Sequence, residues 1–178
     1  RQGQVIGRVL EQRGLPFQLV DLQAYYTKGP CRLLYAWVVL LSDRAELAEA
    51  DHLLWLLAWE EEKGRTVPAQ AQAALQRCLR AGDVMDAVAH FLPVLSETTL
   101  APLAALYHKL RAQCGQQPIA ELLHPLVDYY HLDGNDGDLR RFFELSHSFT
   151  TLADFAVSLH RLADSVLYDD RAEALTLS

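Results

Sequence analysis

Apolar residues return every three or four positions from Lys28 to about Ala163, with polar residues filling the gaps, and this spacing predicts helices almost throughout. Cys31, Leu34, Tyr35, Val38 and Leu41 form the stripe of a first helix. Ala45 to Trp59 reads as a second, with Leu53, Leu54 and Leu57 inside and Glu60, Glu61 and Glu62 as a solvated end. Acidic residues there oppose the helix dipole. Pro68 opens a third, through Ala74, Leu75, Cys78 and Leu79 to Gly82, and Asp83 caps a short one ending near Pro93.

The later pattern is cleaner. Leu100, Leu103, Ala104, Tyr107 and Leu110 share one face, as do Ile119, Leu122, Leu123, Leu126, Val127 and Tyr130 after Pro118. Asp138 is placed to cap a short helix holding Leu139, Phe142 and Phe143. Thr151 is placed to cap a long one that buries Leu152, Phe155, Leu159, Leu162 and Val166.

The two ends read differently. Val5, Ile6, Val9 and Leu10 make a helix stopped by Gly14, and Leu15 to Val20 reads as a strand with Pro16 at its entry. A second alternating run closes the chain from Ala172 to Ser178. The expected fold is mainly α, an irregular helical bundle with short terminal β-strands. With no Met at Arg1 and no turn after Leu177, both ends look cut from a longer polypeptide. No repeat of solenoid length is present.

Composition narrows the function. With 178 residues, half of them apolar, the chain can build one substantial core. Its most apolar run, Leu33 to Leu41, is far short of the roughly 18 residues that cross a bilayer. A net charge of −7 argues against nonspecific nucleic-acid binding over the whole surface and leaves local contacts open. Cys31, Cys78 and Cys114 form no CxxC pair, so they read as core thiols in a reducing, cytoplasmic setting.

Catalytic motifs are missing. Neither GxxxxGK[ST] nor GxGxxG occurs, so this stretch alone should not hydrolyse ATP. Asp133 to Asp138 with Glu144 resembles a calcium loop faintly, but Gly137 and Asp138 occupy its fifth and sixth positions, and a turn followed by a helix cap explains the same residues. His124, His131 and His147 form no ligand pair, and His160 with Asp164 reads as a surface pair. Ser146, Ser148 and Ser158 lack the GxSxG elbow. No catalytic, cofactor or metal residue is assigned.

One basic turn remains as a candidate DNA contact. Lys63 and Arg65 flank Gly64, where a missing side chain lets a phosphate come close, although a helix-ending turn with solvated charges explains the same residues. Arg140 and Arg141 either serve likewise or simply decorate an exposed face.

Several short motifs carry a family resemblance. Val9-Leu10 through Arg13-Gly14-Leu15-Pro16-Phe17 resembles a segment of UvrD/PcrA/Rep-type superfamily 1 DNA helicases that leads from motor domain 2A into a helical insertion. Tyr25-Tyr26 and Leu33-Leu34-Tyr35-Ala36-Trp37 look like the aromatic pair and helix that follow there. Thr151-Leu152-Ala153-Asp154-Phe155, Asp164 and Ala174 to Ser178 resemble the approach to a later motor motif. The resemblance spans nearly the whole chain in layout. It implies a 2A fragment over 1–24, a helical insertion like the accessory domain called 2B over 25–170, and a returning 2A strand over 171–178.

On that resemblance the chain is an accessory, regulatory and non-catalytic region of an ATP-dependent 3′–5′ DNA helicase acting in unwinding and repair. ATP and Mg would bind the parent's motor domains, and the partners would be DNA, through local contacts, and other proteins, with no membrane. Where the family often has Gly-Ile-Gly against duplex backbone, Glu62 to Thr66 carries one glycine. The family's Gly-Gly after the first strand is also missing around Asp21. The alternative is a free-standing helical protein-interaction module with Trp55, Trp59 and Tyr129-Tyr130 as anchors.

Overall fold

The computed structural model describes residues 29–42, 44–47, 50–69 and 99–162, with the isolated positions 72, 73, 76 and 95. The predicted terminal strands, the 2A fragments over 1–24 and 171–178, Tyr25-Tyr26 and Asp164 lie outside the described residues. So do the Asp83 cap and most of the helix predicted from Pro68. Within them the fold is mainly helical, and no strand is found among the described residues.

Helix α1, Gly29–Leu41, is the hub. Pro30 sits in its first turn, where a missing N–H costs nothing. Its sequence predicts a stripe, but every residue from Leu33 to Leu41 is buried, and so is Cys31. A helix apolar on all sides has to be covered on all sides. Helix α2, Ala50–Glu62, packs on one flank, preceded by a short 3₁₀ turn, Ala45–Leu47. Helices α3, Ala101–Gln113, and α5, Gly137–Ser146, pack on others, and α4, Ile119–Tyr130, contacts both of these. The helical residues 152–162 (α6) reach α1 through Tyr35, whose hydroxyl lies 3.2 Å from His160 Nδ1.

Tertiary contacts satisfy α1's otherwise exposed last carbonyls. The Tyr107 hydroxyl donates to Leu40 O at 3.5 Å, and Arg111 Nη1 and Cys114 Sγ both donate to Leu41 O. A guanidinium at a helix C-terminus also complements the dipole. At the centre, Trp37 Nε1 donates to the Tyr130 hydroxyl at 3.3 Å, joining α1 to α4 through two fully buried aromatics.

The predicted faces of α3 and α4 are found, with Leu103, Ala104 and Leu110 buried in one, and Ile119, Leu122, Leu123, Leu126 and Tyr130 in the other. Gly115 follows α3 at φ +76°, a conformation that costs a glycine little. Helix α4 ends instead on His131 at φ +52°, an unusual residue for the left-handed region.

Two local expectations are corrected. The cap of α5 is Asp136, not Asp138: its Oδ1 accepts from Asp138 N at 2.8 Å and Leu139 N at 3.0 Å. The helix starts at Gly137, so the residue before it holds the cap position and Asp138 lies inside the first turn. At α2, the acidic end is not wholly solvated. Glu61 and Glu62 are exposed, but Glu60 is buried, because it continues the stripe of His52, Leu53, Leu56 and Leu57 by one more turn. Thr151 caps α6 as expected: Asp154 N donates to its Oγ1 at 3.1 Å, and its hydroxyl donates to Asp154 Oδ2 at 2.7 Å.

Candidate functional site

The turn from Lys63 to Thr66 forms because α2 runs out of helix at a glycine. Lys63 N and Arg65 N both donate to Glu60 O, and Gly64 N donates to Glu61 O. Gly64 has φ +74°, and a Cβ built there meets nothing within 4 Å. The glycine is needed for the backbone angle, and its outer side is open to solvent. Thr99 Oγ1 donates to Thr66 O at 3.3 Å, tying the turn to the approach to α3.

Both basic side chains of the turn reach back to the end of α4. Lys63 Nζ donates to Tyr130 O and sits 5.4 Å from that residue's ring centroid. Arg65 lies over the Tyr129 ring at 4.7 Å, and its Nη1 donates to the Tyr129 hydroxyl and, at 2.7 Å, to Glu60 Oε2. The Tyr129 hydroxyl donates to the same carboxylate oxygen at 3.3 Å. The three elements are therefore stitched by one carboxylate, two cations and two phenols.

The electrostatics follow from burial. The Glu60 hydrogen bond is the first reason Arg65 holds its proton more tightly than usual, ahead of an opposing desolvation. Burial, then the charge of Arg65, pushes Lys63 down, against the pull of Glu60. Burial, then the Glu60 carboxylate, pushes Tyr129 and Tyr130 up. Both phenols stay neutral.

The candidate contact residues Lys63, Gly64 and Arg65 are thus brought together on one turn, with the glycine outward and both cations partly engaged inward. Glu60 is the member that sequence reasoning missed. Its register with Leu53, Leu56 and Leu57 was the available signal. Arg140 and Arg141 are exposed on α5, where Arg140 Nη2 donates to Asn135 O and Arg141 pairs loosely with Asp138 at 3.8 Å.

Other candidates are placed as follows. In the loop before α5, Asp133 Oδ1 accepts from Asn135 N at 2.9 Å, so Asp133 serves the turn as Asp136 serves the cap. Among the described residues no three His, Cys, Asp or Glu side chains converge to hold a metal. His124 stacks on Phe143 at 4.9 Å and, with Arg140, Glu144 and His147, borders an open groove of about 260 Å³. Of the proposed anchors, Tyr130 is buried, Trp59 packs edge-on against it, and Trp55 lies under the Arg32 guanidinium at 4.3 Å. No helix among the described residues is long and apolar enough to cross a membrane.

The chain matches no protein-family model, no curated protein and no solved structure.

Proposed function

We propose that this chain is a helical accessory region of a UvrD/PcrA/Rep-type DNA helicase, located in the cytoplasm. It regulates and contacts DNA while ATP and Mg act in motor domains elsewhere in the parent. The observation that carries the reading is the ordered set of sequence resemblances spanning nearly the whole chain. The mainly helical fold between them agrees with what an insertion of that kind requires.

Within this reading the Lys63-Gly64-Arg65 turn is the DNA contact. An open, side-chain-free Gly64 lets a phosphate approach the backbone, and the two flanking cations supply local positive charge on an acidic chain. The interaction-module reading is weaker, because Tyr130 and Trp59, two of its proposed anchors, are spent on internal packing.

The coding sequence flanking this stretch tests the assignment. The reading expects a GxxxxGK[ST] phosphate-binding loop upstream of Arg1, in frame. A reading frame that starts immediately before Arg1 and stops after Ser178 contradicts it.

A further inference from the structure

Glu60 is 0 % exposed, yet only half of its carboxylate is served. Oε2 takes Arg65 Nη1 and the Tyr129 hydroxyl, while the buried Oε1 makes no hydrogen bond. The Tyr130 hydroxyl is close enough for Glu60 to strengthen its hold on its proton, but no contact to Oε1 has hydrogen-bond geometry. Burying an acid on an apolar stripe with an orphan oxygen is unfavourable. Its effect falls on Arg65.

Arg65 keeps 29 % of its side chain in solvent, and the adjoining Gly64 is exposed. A carboxylate 2.7 Å behind one guanidinium nitrogen cancels most of the field that guanidinium sends outward. An incoming phosphate and Glu60 therefore want the same charge.

Resting on the reading of this turn as a DNA contact, we propose that Glu60 is an internal counter-ion that restrains Arg65 and competes with backbone phosphate for it. The closed pair keeps the turn weak for duplex, and opening the pair releases a cation beside Gly64. Tyr129 is the positioning residue, since its hydroxyl holds both partners. Lys63 supplies the constant part of the contact.

The test is an anisotropy titration of the full chain with a short labelled duplex at several salt concentrations. Glu60→Gln keeps the shape and removes the charge. It is expected to tighten binding about 3- to 10-fold and to steepen the salt dependence by about one released counterion. The double variant Glu60→Gln/Arg65→Ala should lose that gain, a result that loosening of the fold alone does not produce.

Tyr129→Phe is read in the same way, with a smaller tightening expected, and it decides the matter if Glu60→Gln does not fold. If Lys63→Ala weakens binding while both restraint variants leave affinity and salt slope unchanged, the restraint is wrong and the contact stands. If Lys63→Ala and Arg65→Ala also change nothing, contact and restraint fall together.

Discussion

Glu60 Oε2 lies 2.7 Å from Arg65 Nη1, so the end of α2 is closed by an ion pair between the last residue of its buried stripe and a residue beyond Gly64. One partner is fully buried and the other is not, and that asymmetry sets what each substitution does. Removing Arg65 leaves a buried carboxylate without its ion-pair partner, held by the Tyr129 hydroxyl alone. Arg65→Ala is expected to cost about 2–4 kcal/mol, more than a surface pair contributes. Urea unfolding checks this. A loss below about 0.5 kcal/mol would place the pair among ordinary surface pairs.

Two aspartates before α5 look alike in sequence and differ in role. Asp136→Ala removes the acceptor for two backbone N–H groups and should cost about 1 kcal/mol. Asp138→Ala removes an exposed 3.8 Å contact to Arg141 and a first-turn charge, with no backbone N–H left uncapped, and should cost under about 0.5 kcal/mol. Thermal unfolding of the two variants side by side decides it, and equal losses would reject Asp136 as the cap.

His131 ends α4 at φ +52°, where an L side chain is strained. Leu132 N nevertheless bonds back to Val127 O at 3.0 Å, so the left-handed turn is in use. His131→Gly should stabilise the chain by about 0.5 kcal/mol, relief of strain exceeding the extra entropy of an unfolded glycine. A destabilised variant would show that the imidazole makes a contribution of its own.

Burial, then the charges of Asp138 and Asp136, pushes the Cys31 thiol from 9.0 up to about 12. The unfolded thiol ionises first, so the stability tied to its neutral form is complete below about pH 9. It is lost as pH rises from there towards about 12. Stability measured in urea should fall across this window, and Cys31→Ala should flatten the first part of the fall. Iodoacetamide should label the half-buried Cys114 in the native chain before Cys31. Rapid native labelling of Cys31 would contradict its burial.

Much of the helical layout was legible because each helix from α3 to α6 keeps one apolar face, and Pro118 and Thr151 mark where two of them begin. Helix α1 was legible as a helix but not as a hub. Periodicity reports a stripe, whereas Leu33, Ala36, Trp37, Val39 and Leu40 are buried by neighbours that local spacing cannot reveal. The candidate turn could be read from Lys63, Gly64 and Arg65, but not its circuitry. Glu60 looked like part of a solvated acidic run, and only the packing of Tyr129 and Tyr130, 69 and 70 residues downstream, shows what it holds. Long-range polar contacts leave no periodic trace.

The contact itself is tested most directly by titrating a labelled duplex with the wild-type chain and with Lys63→Ala/Arg65→Ala across a salt series. The account predicts weaker binding for the variant and a log–log salt slope shallower by about one, the share of Lys63, since Glu60 already holds Arg65 in the wild-type chain. Equal affinity and equal slope for the two proteins would contradict it.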